Sequence, residues 1–269
     1  MRNLRLIVDH KNFFASINDE KIIKYLMGEG TPQNIANIAT AFAKLEIVDH
    51  KNYFAAINDE KIIKYLMENG NAQDFANISS AFANLGIEDS SNFFLALSGD
   101  DTLVSKGNAQ NVCNSLWSFA CLGLLENVAY ESIIKSLWSK AISMPVEDFI
   151  VEDLRQLRQF YTCSIVEGEN LKLKEIPSDL RSKINKVRQS NTDSRSHGDI
   201  SILLAEIGFE HATEVSPFVD NSADFFSGGD DFMAIDMANL EYRIAIEFDG
   251  PSHFLGLGHD GRIEVVKLR

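Results

Sequence analysis

The 269-residue sequence is poor in cysteine, in positive charge and in long apolar runs. Its three cysteines, Cys113, Cys121 and Cys163, include no CxxC pair, which argues against a disulfide framework or a cysteine-based zinc site. No apolar run approaches the roughly 18 residues that cross a bilayer, so we expect no membrane-spanning helix. The amino-terminal segment also lacks the apolar core of a secretory signal.

Positive charge is scarce, because 25 lysines and arginines face 39 aspartates and glutamates. The resulting net charge of -14 argues against a surface that binds nucleic acid through bulk positive charge. Any contact with RNA is therefore expected to be local. The hydrophobic content of 45 % is that of a globular protein, and the length accommodates one large or two ordinary domains.

The first half of the sequence repeats with a period near 40 residues. IVDHKNFFASINDEKIIKYLM begins at Ile7 and IVDHKNYFAAINDEKIIKYLM begins at Ile47. Three further segments correspond: TPQNIANIATAFAKLEI, NAQDFANISSAFANLGI and NAQNVCNSLWSFACLGL. This period is typical of a solenoid of helical pairs, which we predict for residues 1–168. Because the identity starts abruptly at Ile7, we expect the first helix of the first repeat to be missing.

Each repeat has helix start and stop signals. Thr31 before Pro32, Asn71 and Asn108 are suited to the N-cap, and Gly86 and Gly123 to the exit. On the first helix of a repeat, one side is predicted to pack through Ile35, Ile38, Phe42 and Leu45. On the second helix, Ile22, Ile23, Tyr25 and Leu26 form the apolar side, and the solvated residues are Asp19, Glu20, Lys21 and Lys24.

A polar set follows each helix start. Stacked repeats would align these residues into a ladder of amide donors and acceptors, as in RNA readers that assign one base to each repeat. The alternative is that they satisfy helix N-termini and the loops between repeats. Both interpretations stay open for Gln33, Asn34, Asn37, Gln73, Asp74, Asn77, Gln110, Asn111 and Asn114.

The segments PQNIANIATAFAKL and AQNVCNSLWSFACLGLL resemble the octotricopeptide and heptatricopeptide repeats of organelle RNA-binding proteins. The resemblance covers about the first 125 residues and continues more weakly to about residue 165. It implies a helical stack that binds single-stranded RNA in a mitochondrion or chloroplast.

Residues 169–195 are predicted to form a basic helix and a linker. The helix presents Arg181, Lys183, Lys186 and Arg188, the strongest positive patch in the acidic chain. Contact with RNA phosphates is one interpretation and an ordinary solvated face is the other.

Residues 196–269 are predicted to form a small α/β domain of one helix and three strands. A hairpin turn at residues 239 and 240 would place Asp236 on the same face as Glu247 and Asp249. This order of carboxylates resembles the metal-dependent restriction-endonuclease core, which implies Mg²⁺ bound by these three residues, with Glu214 in support.

The segment IAIEFDGPSHF resembles the opening motif of the RAP domain, an RNA-binding module of organelle proteins that is related to such nucleases. The resemblance adds His253 to the catalytic candidates Asp236, Glu247 and Asp249. The lysine usual two residues after the glutamate is replaced by Asp249, which leaves Lys267, Arg262 or His253 as substitutes. Turn formation is the alternative role of the motif. We expect this domain to be incomplete at its C-terminus.

The predicted fold class is thus an α-helical repeat solenoid followed by a truncated restriction-endonuclease-like α/β domain. The leading hypothesis is an organelle RNA-binding protein that acts in transcript processing, stability or translation. One alternative is a Mg²⁺-dependent endoribonuclease. Another is a non-catalytic solenoid that binds organelle proteins, which the acidic charge favours. Neither a membrane nor DNA is an expected partner.

Overall fold

The computed structural model describes residues 14, 16–45, 47, 50–87, 89–187, 195–215, 235–249 and 262–267. The chain divides into two compact units, Met1–Ile184 and Asn185–Arg269. The described part of the first unit is helical, and that of the second contains a small antiparallel sheet. A helical region followed by a small α/β part agrees with the coarse outline of the expected fold class.

The helical unit is a succession of mostly short helices joined by tight turns. They are α1 Glu20–Glu29, α2 Pro32–Lys44, α3 Lys51–Ile57, α4 Glu60–Asn69, α5 Ala72–Asn84, α6 Ser91–Ser98, α7 Thr102–Lys106, α8 Ala109–Cys121, α9 Glu131–Ala141, α10 Val151–Val166 and α11 Ser178–Lys186. Helices α2, α5, α8 and α10 pack side by side in this order, and we call them the groove helices.

Three of the groove helices, α2, α5 and α8, begin with related caps. The side chains of Thr31, Asn71 and Asn108 accept hydrogen bonds from backbone N–H groups of the first turn, which confirms the predicted N-caps. Gly86 and Gly123 lie beyond the helix ends with φ of +60° and +64°, a conformation that glycine adopts at little cost. Equivalent caps give the helices equivalent starting points.

Aromatic rings connect one repeat to the next. Phe42, Phe54, Phe82, Phe94 and Phe119 form a continuous row in which successive ring centroids are 5.0 to 6.3 Å apart. All five side chains are almost completely buried. Burial of each ring stabilises the fold by an estimated 1.5–3 kcal/mol, so this aromatic row is a main source of cohesion between repeats.

Three residues of the predicted packing are wrong. Leu45 is 42 % exposed, because it is the C-cap residue of α2 and the chain turns there. Ile22 and Tyr25 are 42 % and 65 % exposed, because the buried stripe of α1 consists of Ile23 and Met27, four residues apart. Apolar periodicity therefore located the buried side only approximately.

Buried asparagines join adjacent repeats through the backbone. Asn18 Oδ1 accepts from the N–H of Tyr53 at 3.0 Å. One repeat later, Asn58 Oδ1 accepts from the N–H of Phe93, also at 3.0 Å. We call this recurring contact the asparagine clasp. Because both acceptors are buried, the clasp fixes where the next helix starts.

The segment after α10 packs onto the helical unit as far as Ile184, although residues 169–195 were expected to include a linker. The indole N–H of Trp138 donates to the carbonyl of Lys174 at 2.7 Å. Lys183 Nζ donates to the carbonyl of Phe149 at 3.1 Å, and Leu180 and Ile184 are buried. These contacts hold α11 in place.

The second unit contains α12 Arg195–Glu206 and four strands, β1 Ala212–Val215, β2 Ile235–Asn239, β3 Ile244–Asp249 and β4 Arg262–Lys267. The sheet is antiparallel with the order β1-β2-β3-β4. Asn239 pairs with Ile244, so residues 240–243 form the turn and the predicted turn at 239 and 240 is wrong. Asn239 stays in the strand and its Oδ1 accepts from the N–H of Tyr242 at 2.8 Å.

The asparagine clasp can be tested by mutation. We expect Asn58→Ala to lower the free energy of unfolding by about 1–3 kcal/mol, because the buried N–H of Phe93 loses its acceptor. Urea denaturation measures the change. Asn69→Ala is the matched control, since Asn69 is exposed and its side chain donates to the carbonyl of Tyr65 within its own helix. Equal losses in the two variants would contradict a special role for the clasp.

Candidate functional site

The groove helices line a polar groove of about 480 Å³. Six amide side chains line it, together with Thr40, Ser80 and Trp117. Among the described residues its charged side chains are Lys44 and Glu152, which carry opposite signs. The amides are Asn77, Asn84, Gln110, Asn114, Gln156 and Gln159.

The groove residues recur at fixed distances from the helix start. Asn77, Asn114 and Gln156 are each the sixth residue after the N-cap of their helix. Ser80 and Trp117 are the ninth residue of theirs. Since residues three apart lie on the same side of a helix, both positions face the groove. The arrangement follows from equivalent positions on helices that pack side by side.

The predicted polar ladder is only partly present in this groove. Asn77, Gln110 and Asn114 line it. The exposed residues Gln33, Asn37 and Gln73 lie outside the lining, because α2 contributes through Thr40, Ala43 and Lys44 near its C-terminal end. The groove therefore runs obliquely to the expected rows of equivalent residues.

Three residues of the predicted ladder have a structural role instead. Asn34, Asp74 and Asn111 accept hydrogen bonds from the N–H groups of their N-cap residues at 3.1 to 3.2 Å. Their side-chain oxygens complete capping boxes and are engaged there. For these three residues the structure agrees with the alternative interpretation, in which the polar side chains bond to N–H groups at the helix N-termini. Burial raises the pKa of the Asp74 carboxyl, despite the opposing hydrogen bond from the N–H of Asn71.

Sequence reasoning missed Trp117, Ser80, Gln156 and Gln159. Trp117 stands in the segment SLWSF, where an aromatic residue is easily assigned to the core. The available signal was that Trp117 lies three residues after Asn114, which places both residues on the same side of the helix. The glutamines belong to α10, which shares little sequence with the repeats, so only packing identifies it as the fourth groove helix.

The two tryptophans have different environments. Trp138 is 1 % exposed, stacks on Tyr161 with ring centroids 5.2 Å apart, and donates its N–H to the carbonyl of Lys174. Trp117 is half-buried and lines the groove. Among the described residues, its indole N–H has no hydrogen-bond acceptor. Buried tryptophan N–H groups usually find a partner, so Trp138 is structural and Trp117 is open to a ligand.

One member of the predicted basic patch, Lys183, is engaged in contacts within the protein. Lys183 donates to backbone carbonyls of residues 146 and 149, which fixes α11 rather than presenting a charge to solvent. Arg181 is half-buried and Lys186 is exposed. Arg188 lies outside the described residues. The groove itself is close to neutral, because Lys44 and Glu152 offset each other and Glu152 pairs with Arg155 at 3.3 Å.

The sheet register places the candidate carboxylates of the second unit on one face. Met237 pairs with Ile246, so one step further along the same ladder Asp236 comes opposite Glu247. Residues that are opposite each other lie on the same face of the sheet, and so does every second residue along a strand. Asp249, two residues after Glu247, therefore lies on the same face as Asp236 and Glu247. The residue opposite Asp236 is four positions further along β3 than the predicted turn would place it. Because this shift is an even number of residues, Asp236 still lies on the same face as Glu247 and Asp249, as predicted.

The same register separates the proposed substitutes for the missing lysine. Arg262 pairs with Asp249 and so shares the face of the carboxylates. Lys267 pairs with Ile244 and lies on the other face. His253 lies outside the described residues. Of the three substitutes, only Arg262 is placed near this row by the backbone.

The β1–β2 ladder brings Glu214 opposite Asp236, between the pairs at residues 213 and 215. Carboxylate oxygens are ligands that Mg²⁺ prefers, so residue type and register both fit the ion. The side chains of this row lie outside the description. Among the side chains that are described, no group of three or more His, Cys, Asp or Glu could hold a metal ion.

No family model matches the sequence, and no curated protein or solved structure matches it. In the described part of the chain, no helix has the length and apolar content needed to cross a membrane.

The buried cap at Asp74 predicts a pH effect. Its pKa is raised in the folded state, so folding favours the protonated carboxyl and stability falls as the pH rises through the folded pKa. We expect Asp74→Asn to be more stable than the wild type near pH ~7, with a gain that disappears as the pH falls toward ~4.

Urea denaturation at several pH values measures this gain. Asn111→Asp is the reciprocal variant, because Asn111 holds the equivalent buried cap position, and it should lose stability near neutral pH. A gain in Asp74→Asn that is independent of pH would contradict the explanation.

Proposed function

We propose that the helical unit binds single-stranded RNA in the amide-lined groove, as part of an organelle protein that acts in transcript processing, stability or translation. The observation that carries the proposal is the groove: neighbouring helices present amide groups at equivalent positions, and a half-buried tryptophan lies beside them. Amides can bond to the edges of unstacked bases, and an aromatic ring can stack on them. The resemblance to octotricopeptide repeats and to the RAP motif supports this choice of ligand and of compartment.

The charge distribution determines how such binding would work. With one lysine and one glutamate in the groove, few phosphates can be neutralised there. The ligand is then held through its bases, with the phosphates toward solvent. Single strands fit this mode because their base edges are free, whereas a duplex hides them.

Fluorescence anisotropy with labelled single-stranded RNA tests the proposal. We expect the double variant Asn77→Ala/Gln110→Ala to weaken binding by about 5- to 100-fold, because two base contacts are lost. The logarithm of the binding constant should fall with that of the salt concentration with a slope between about −0.7 and −1.4, as for one or two phosphate contacts.

Matched controls separate the groove from the general surface. Asn69→Ala removes an exposed amide outside the groove and should bind like the wild type. Lys44→Gln in the groove should weaken binding more than Lys24→Gln on the exposed side of α1. No RNA binding at high protein concentration, together with recovery of a protein partner, would favour the protein-binding solenoid instead.

A second candidate function is Mg²⁺-dependent RNA cleavage by the α/β unit, and the observation that favours it is the shared register of Asp236 and Glu247 with Asp249. These carboxylates would hold the ion, which in such sites activates water for attack on the phosphodiester. Arg262, opposite Asp249, would stand near the charge that develops on the phosphate.

Incubation of labelled RNA with and without Mg²⁺ tests cleavage. We expect products that require Mg²⁺, and a loss of at least about tenfold in rate for Asp236→Asn and Glu247→Gln. Glu241→Gln, in the exposed turn, is the control and should cleave normally. RNA that stays intact at high protein concentration, or cleavage that survives both substitutions, would rule out this function.

A further inference from the structure

The middle of the groove contains an amide pair next to an aromatic ring. Gln156 Nε2 donates to Asn114 Oδ1 at 2.8 Å, a contact between α10 and α8. Asn114 precedes Trp117 by three residues on α8, so both belong to the same side of that helix. All three residues line the groove. Two helices that are distant in sequence therefore form one local arrangement.

The amide pair leaves two hydrogen-bonding groups unmet. The Oδ1 of Asn114 is occupied by Gln156, so the Asn114 side chain faces the groove as a donor through Nδ2, which has no acceptor among the described residues. The Oε1 of Gln156 is buried without a hydrogen-bond partner. Because that oxygen is buried, the group of the pair that a ligand in the groove can reach is Asn114 Nδ2, a donor that requires an acceptor on the ligand.

The ring has no counterpart in the other repeats. The ninth residue after the N-cap is Thr40 in α2, Ser80 in α5 and Gln159 in α10. Only α8 has an aromatic side chain there, and no ring contact with another aromatic residue is found for Trp117 in the described part of the chain. An amphipathic ring that is half-buried in a polar groove presents a surface on which a planar group can stack.

We propose that Trp117, Asn114 and Gln156 form a nucleobase subsite that selects uracil over cytosine. The base stacks on Trp117 and its O4 accepts from Asn114 Nδ2, while Gln156 holds the Asn114 amide in this orientation. Cytosine has the same ring area but carries a donor at position 4, so it cannot accept from Asn114 there. The subsite rests on the proposed RNA binding and adds to it a base preference at α8.

The test uses the full chain with octamers of uridine and cytidine, by anisotropy. We expect the uridine octamer to bind about three- to tenfold more tightly than the cytidine octamer. Trp117→Ala should weaken both by about fivefold to 100-fold, and Trp117→Phe should retain most of the affinity. Asn114→Asp, which replaces the donor by an acceptor, should abolish or reverse the preference. Asn77→Ala is the matched control and should weaken both octamers without changing their ratio.

Tryptophan fluorescence supplies an independent readout. The chain has two tryptophans, and iodide should reach Trp117 but not the buried Trp138. We expect the uridine octamer to protect the quenchable emission, and Trp117→Phe to remove the quenchable fraction.

The possible outcomes separate the two proposals. If RNA binds and Asn77→Ala/Gln110→Ala weakens it while Trp117→Ala binds normally, the subsite is overturned and the proposed function stands. Equal affinity for the two octamers also overturns the subsite. If neither octamer binds and no other RNA does, the proposed function falls and the subsite falls with it.

Discussion

Burial of the aromatic row is the constraint on which the helical unit depends. Phe42, Phe82 and Phe119 occupy the same position in three groove helices, and each is fully buried against rings of the neighbouring repeats. At 3.6 residues per turn, the residues two and five positions earlier lie about 160° and 140° away around the helix. These are the positions of Ser80 and Asn77 on α5. Fixing the rings in the core therefore turns the amides toward the groove.

A neutral groove in an acidic protein has consequences for recognition. General attraction for polyanions is absent, so a ligand that binds there must do so through short-range contacts whose geometry depends on its chemical groups. The amide pair of Asn114 and Gln156 and the ring of Trp117 are suited to this role because they offer direction and shape rather than charge. Lys183, which could have provided attraction, binds the protein's own carbonyls instead.

The second unit shows how far alternation alone can predict a site. The turn was predicted at residues 239 and 240, but Asn239 pairs with Ile244 and the turn begins one residue later. Asp236, Glu247 and Asp249 nevertheless share a face, since side chains alternate with period two and the pairing shifted by an even number. An odd shift would have separated them. Only the β3–β4 pairing shows that Arg262 shares the face of the carboxylates and that Lys267 does not. The sequence shows only that both residues are basic.

The sequence by itself determined the helical period, the N-caps at Thr31, Asn71 and Asn108, and the buried Phe42, because these follow from local hydrogen bonding and from apolar spacing along one helix. Only the tertiary structure decided which polar residues are free to bind. Asn111 closes its own cap whereas Asn114, three residues later, meets Gln156 from another helix. The physical reason is that a groove is formed between helices about 40 residues apart, and spacing within one helix carries no information on which neighbour will face it.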